Sequence, residues 1–99
     1  MKEDMEGLIL HGIYQHYQNP EHLYRVVGTI RNSETEVLEV KYKQLYNGKY
    51  PNGTEWARSK ERFLDNIVVN GNLVPIFKFI GTKIPFSKEE RKNRINSSR

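Results

Sequence analysis

The chain has 99 residues, 36% hydrophobic and 28% charged, which suits one small folded domain and excludes a disordered polyelectrolyte. It has no cysteine, which excludes a disulfide framework and a thiolate zinc site. The net charge of +4 lies wholly from Lys83 onward, where six basic residues face two acidic ones; the body of the chain is neutral and gives no bulk electrostatic case for binding phosphates.

Residues 1–11 begin "MKEDMEGLIL", acidic and without a long apolar run, and read as a flexible arm with no signal peptide. No stretch reaches the length of a membrane span. With the missing cysteines this points to the cytoplasm or another reducing compartment, and to no membrane partner. "GIYQHY" (12–17) alternates weakly and predicts a first short strand. "NPEH" (19–22) is a turn set by Pro20.

"LYRVVGTIR" (23–31) is the clearest strand. Tyr24, Val26, Gly28 and Ile30 form its better core row, and Gly28 in mid-strand predicts a bend or bulge. "EVLEVKYKQLY" (36–46) predicts a second long strand, with Leu38, Val40, Tyr42 and Tyr46 on one face and Glu39, Lys41 and Lys43 on a wet face. Between them stands "RNSET" (31–35), a connector without glycine. Asn32 and Ser33 can make the turn through side-chain to backbone hydrogen bonds, and Thr35 re-enters the strand. Arg31 and Glu34 are left over. Either Glu34 pairs with Arg31 or Arg58 and pins the loop, or the loop is the polar rim of a cleft.

Three Asn-Gly pairs follow: Asn47-Gly48, Asn52-Gly53 and Asn70-Gly71. Each predicts a tight turn, because both residues tolerate positive φ. The last joins "NIVV" to "NLVPIFKFI" and is a hairpin signal. "TEWARS" (54–59) predicts a short strand and "KERFLDN" (60–66) one or two helical turns. Ser87 and Glu90 make a capping-box pattern in a basic tail, residues 82–99. Short strands, strong bending signals and small size favour a closed or nearly closed antiparallel barrel over residues 12–81.

Catalytic signals are sparse. His11, His16 and His22 have no metal-ligand spacing, and no nucleophile elbow, HExxH or glycine-rich phosphate loop occurs. No metal and no cofactor are expected. Asn52-Gly53-Thr54 and Asn96-Ser97-Ser98 match the glycosylation sequon and read as chance matches. Trp56 and Arg58 share a face of one strand. An arginine beside an indole can grip a planar or anionic ligand; equally, Trp56 can be core and Arg58 a structural ion-pair partner.

The segments "HY" (16–17), "LYRVVGTIRNSETEVLEVKYKQLY" (23–46) and "EWARSKERFLDNIVVNGNLVPIFKFI" (55–80) resemble a short, mainly bacterial family known as a domain of unknown function. Tyr24-Arg25-Val26, Gly28, Arg31, Ser33-Glu34-Thr35, Trp56, Arg58 and Phe63 carry the resemblance in order. It implies an SH3-like barrel and brings no activity or catalytic residues. Asn32 stands where the family has histidine, and Ser59 where it has proline.

The expectation is therefore an all-β, SH3-like antiparallel barrel of about five strands with one short helical turn, acting as a binding module. Its expected groove is lined by Tyr17, Tyr46 and Trp56, with Arg31, Ser33, Glu34 and Arg58 as polar contacts. The expected ligand is a protein segment or a nucleotide-like group, and the tail Lys83 to Arg99 is a candidate contact for nucleic acid. Two readings stand beside it: a small hydrolase-like enzyme or accessory domain acting on a nucleotide or sugar, with His16 and Glu34 as acid/base candidates, and a non-catalytic subunit of a larger assembly.

Overall fold

A computed structural model describes residues 3–84; the Ser87/Glu90 capping pattern, the second sequon and most of the basic tail lie outside the described residues. A 3-10 turn (Glu3–Met5) precedes β1 (Ile13–His16), β2 (Leu23–Arg31), β3 (Leu38–Gln44), β4 (Glu55–Ser59), α1 (Lys60–Phe63), β5 (Asn66–Val69), β6 (Asn72–Pro75) and β7 (Phe77–Gly81). The fold is all-β and antiparallel. One sheet runs β4-β3-β2-β1-β7, and β5-β6 form a separate hairpin. No helix of the described residues is long and apolar enough to cross a membrane.

The five-stranded sheet curls into a barrel open along one side, between β4 and β7. Across a flat sheet β3 and β7 would stand three strand spacings, about 14 Å, apart. Yet the rings of Tyr42 on β3 and Phe77 on β7 are 5.7 Å apart, centroid to centroid. Curling brings the inward rows together as a core of Leu8, Tyr14, Val26, Val40, Tyr42, Phe63 and Phe77. Rings do much of the filling: Phe63 stacks on Phe77 at 4.5 Å and meets Tyr14 edge-on at 5.2 Å. Phe63 reaches this position from α1. Ser59 caps that single turn by accepting a hydrogen bond from the Arg62 N–H, and the turn drops Phe63 into the end of the barrel.

The bend in β2 is a bulge. Val26 pairs with Tyr42 and Gly28 with Lys41, so Val27 is an extra residue with no partner opposite. The extra residue exchanges the two faces. Ile30, expected in the core row, is 48% exposed and opposes Glu39 on the wet face, while Thr29 opposes buried Val40. The Asn70-Gly71 hairpin forms as read, with φ of 51° and 80° as a tight two-residue turn requires. "NLVPIFKFI" is two strands rather than one. Pro75 ends β6, the Ile76 N–H donates to the Asp65 carbonyl, and β7 departs to pair with β1.

The segment read as an arm contributes to the barrel. Leu8 is 7% exposed within the core, Met5 packs against it, and the Ile9 N–H donates to the Tyr14 hydroxyl at 3.1 Å.

Candidate functional site

The period-two alternation of β3 carries its inward row through Leu38, Val40 and Tyr42 to Gln44, the one buried polar side chain among the described residues, 2% exposed. The Gln44 amide is fully engaged. Its Nε2 donates to the carbonyls of Tyr46 (2.9 Å) and Tyr50 (2.7 Å), and its Oε1 accepts from the Trp56 indole N–H (3.1 Å). One side chain thus fixes the loop 45–54 against β4. Asn47 tightens the same loop by accepting a hydrogen bond from the Asn52 N–H.

That loop and the inward faces of β2, β3 and β4 enclose a cleft of about 260 Å³ lined by Tyr24, Tyr42, Gln44, Tyr46, Lys49, Tyr50 and Trp56. The Tyr24 and Tyr46 hydroxyls lie 2.8 Å apart in a hydrogen bond. His22 stacks on the Tyr46 ring at 4.0 Å, and Tyr50 meets Trp56 edge-on at 5.0 Å. Burial and the bond to Tyr46 push the Tyr24 phenol well above the usual tyrosine range. Burial also raises Tyr42, against the opposing pull of the Arg58 guanidinium. Both phenols therefore stay protonated and able to donate.

Arg58 follows Trp56 on the same inward row of β4, opposite Val40. Its guanidinium lies over the Phe77 ring at 5.3 Å, across the open side of the barrel, and faces the Tyr42 hydroxyl. No carboxylate of the described residues pairs with it. His16 stands nearby, edge-on to Phe77 at 5.3 Å. Its Nδ1 accepts a hydrogen bond from the Gln18 N–H, which places the proton of the neutral ring on Nε2. Burial, then Arg58 and His22, lower its pKa from the ordinary histidine value.

The structure divides the residues singled out from sequence. Tyr46 and Trp56 share the cleft, and Arg58 adjoins it. Tyr17 stacks on His16 at 5.0 Å and lines another crevice, of about 530 Å³, with Pro20, Val69 and Val74. Arg31, Ser33 and Glu34 lie at the far end of the β2–β3 ribbon. There Asn32 makes the turn: its Oδ1 accepts from the N–H groups of Glu34 (2.9 Å) and Thr35 (3.0 Å). Arg31 donates to the Glu36 carbonyl at 2.8 Å and approaches the Asp4 carboxylate at 3.9 Å, so it ties the loop to the N-terminal segment. Ser33 and Glu34 are exposed, and Glu34 makes no ion pair with a described residue. Asn32 and Thr35 of the loop border a shallow depression of about 430 Å³ that Arg58 also lines. His16 and Glu34 stand near opposite ends of β2.

Sequence reading missed Gln44 and Lys49, placed Tyr50 near a strand end where such barrels expose aromatic grooves without including it in the expected groove, and assigned Tyr24 and Tyr42 to core rows. The alternation itself could have found Gln44, since an inward glutamine needs partners for its whole amide. Nothing local marks Lys49, and both Lys49 and Tyr50 reach the cleft by the path of their loop.

No curated protein matches the chain. The fold is similar to the crystal structure of a DUF1653 protein from Bordetella bronchiseptica, with a TM-score of 0.68 and 24% identity over 83% of this chain and 99% of that one. The family model described as "Protein of unknown function (DUF1653)" matches residues 12–79. By that match, which spans the sheet and the hairpin, the chain belongs to the DUF1653 family.

Proposed function

We propose that the domain is a binding module and that the cleft ringed by Tyr24, Tyr42, Tyr46, Tyr50 and Trp56 is its site. The observation that carries this reading is the convergence of these rings on one small opening held in shape by a buried glutamine. At about 260 Å³ it falls just below the roughly 300–1,000 Å³ of sites for drug-sized ligands, so it suits one planar group rather than a whole large molecule. A nucleotide-like group or a planar side chain of a protein segment has the right shape. Stacking on Tyr46, Tyr50 and Trp56 supplies the contact area, and phenol hydroxyls supply orientation.

Trp56 is the sole tryptophan, so its fluorescence reports directly on the cleft. Titration with a panel of nucleotides and aromatic peptides should change that emission saturably. Tyr50→Ala removes an exposed ring from the wall and should weaken binding roughly tenfold, on the scale of one lost stacking contact, with thermal stability little changed. Equal binding by wild type and Tyr50→Ala would place the site elsewhere.

A further inference from the structure

The faces of tyrosine and tryptophan attract cations, so a ring of them can hold an ammonium group as readily as a flat neutral one. The charges around this cleft decide between the two. No carboxylate lines it. Lys49 stands at its rim, with Nζ 5.9 Å from the Tyr50 centroid. Arg58 lies two residues beyond Trp56, facing the Tyr42 hydroxyl and without a carboxylate among the described residues. A cationic ligand would meet two positive charges and no negative one.

The polar atoms point the same way. The Gln44 amide is spent on Tyr46, Tyr50 and Trp56. In the Tyr24–Tyr46 pair one hydroxyl donates to the other, and the accepting one keeps its own hydrogen free. The Trp56 N–H is taken by Gln44, and the free donors that remain are phenol and ammonium hydrogens. A site with free donors, two nearby cations and no acid complements a ligand rich in acceptors and negative charge.

We infer that the cleft takes a planar ring bearing an anionic substituent, the chemistry of a nucleoside monophosphate. The ring lies among Tyr46, Tyr50 and Trp56, and the phosphate at the mouth meets Lys49 within the field of Arg58. This rests on the cleft being the binding site. The small volume supports the arrangement, because a ring fills it and leaves the charged end outside.

The test is a titration of Trp56 fluorescence and backbone amide shifts with adenosine monophosphate, adenosine and tetramethylammonium as separate probes. The monophosphate should bind, adenosine roughly tenfold or more weakly for want of the charge-assisted contact, and tetramethylammonium not at all. Lys49→Gln should bring the affinity for the monophosphate down toward that for adenosine and leave adenosine unchanged; Lys49 is exposed, so this variant keeps its fold. Arg58→Gln should act in the same direction in a sample shown to be folded by its amide spectrum. Adenosine binding as tightly as the monophosphate, or tetramethylammonium binding more tightly than either, would overturn the anionic assignment and leave the cleft as the site. Silence with all three probes would overturn the assignment; silence with the aromatic peptides as well would overturn the cleft itself.

Discussion

Gln44 shows how one buried side chain can hold a cleft in shape. Its side chain is 2% exposed, and it satisfies two loop carbonyls and one indole N–H. Burial removes water as an alternative partner for the amide itself, and of its three partners the Tyr50 carbonyl has a second donor, the Gly48 N–H. Gln44→Ala would leave the Tyr46 carbonyl and the Trp56 indole N–H without this partner, at about 1–3 kcal/mol each before relaxation, while the Tyr50 carbonyl keeps the Gly48 N–H at 3.0 Å. Loop 45–54 is near the surface, and water reaching it would recover part of that. A net loss of about 2–4 kcal/mol is the expected outcome in chemical denaturation, with a red-shifted Trp56 emission as the indole loosens. Gln44→Met matches the length but offers no amide, and should cost nearly as much. A Gln44→Met protein as stable as wild type would show that the amide bonds contribute little. This residue was legible in principle: the inward row of β3 reaches position 44 by counting in twos. Tyr50 and Lys49 were not, because their approach to Trp56 depends on how ten loop residues close, and local pattern does not encode that.

Among the elements, β2 and its turn were the most readable and still held a surprise. The connector 31–35 turns on Asn32, whose side chain takes two backbone N–H groups, as its residue type allows. The bulge was signalled by Gly28, but its consequence was not. A mid-strand insertion moves every later side chain to the other face, so a row counted straight through Tyr24, Val26, Gly28 and Ile30 ends on the solvent side. Gly28 adopts φ of 154°, where residues with a Cβ are strained, although nothing lies within 4 Å of a Cβ placed there. Gly28→Ala should therefore cost about 1–3 kcal/mol through the backbone alone. Thr29→Ser, one residue on, keeps a hydroxyl and imposes no new φ constraint; it should cost about 1 kcal/mol or less. Comparable melting temperatures for Gly28→Ala and wild type would mean that the strand tolerates the bulge with any residue. The split of "NLVPIFKFI" into β6 and β7 was hidden for a different reason. Pro75 marks a boundary, but which strand Phe77–Gly81 then joins is a choice made across the sheet, by β1.

At the scale of the whole molecule, the question is what a barrel this small uses to fill its ends. Phe63 from α1 closes one end. Leu8 joins the same core from ahead of β1, although the family match begins only at residue 12. The route is specific. Leu8 N–H donates to the Met5 carbonyl, Gly12 N–H to the Ile9 carbonyl, and His11 N–H to the Val26 carbonyl, so two tight turns lead the chain straight into the β1–β2 ladder. Gly12 is needed there, since a Cβ would come within 2.8 Å of the Ile9 carbonyl oxygen and 2.9 Å of the Phe79 ring. Composition suggested an arm because this segment is acidic at its start and lacks alternation; packing of a single leucine leaves no periodic trace. If Leu8 is core, Leu8→Ala removes buried methyl groups from a chain with few of them and should cost about 2–4 kcal/mol, a large share of what a domain this size has to lose. Ile9→Ala, at a side chain 45% exposed, should cost under about 1 kcal/mol. Urea midpoints of the two variants decide the matter. Equal midpoints would return residues 1–11 to the role of a dispensable arm, while a selective loss at Leu8 would extend the folding unit ahead of the family's own boundary.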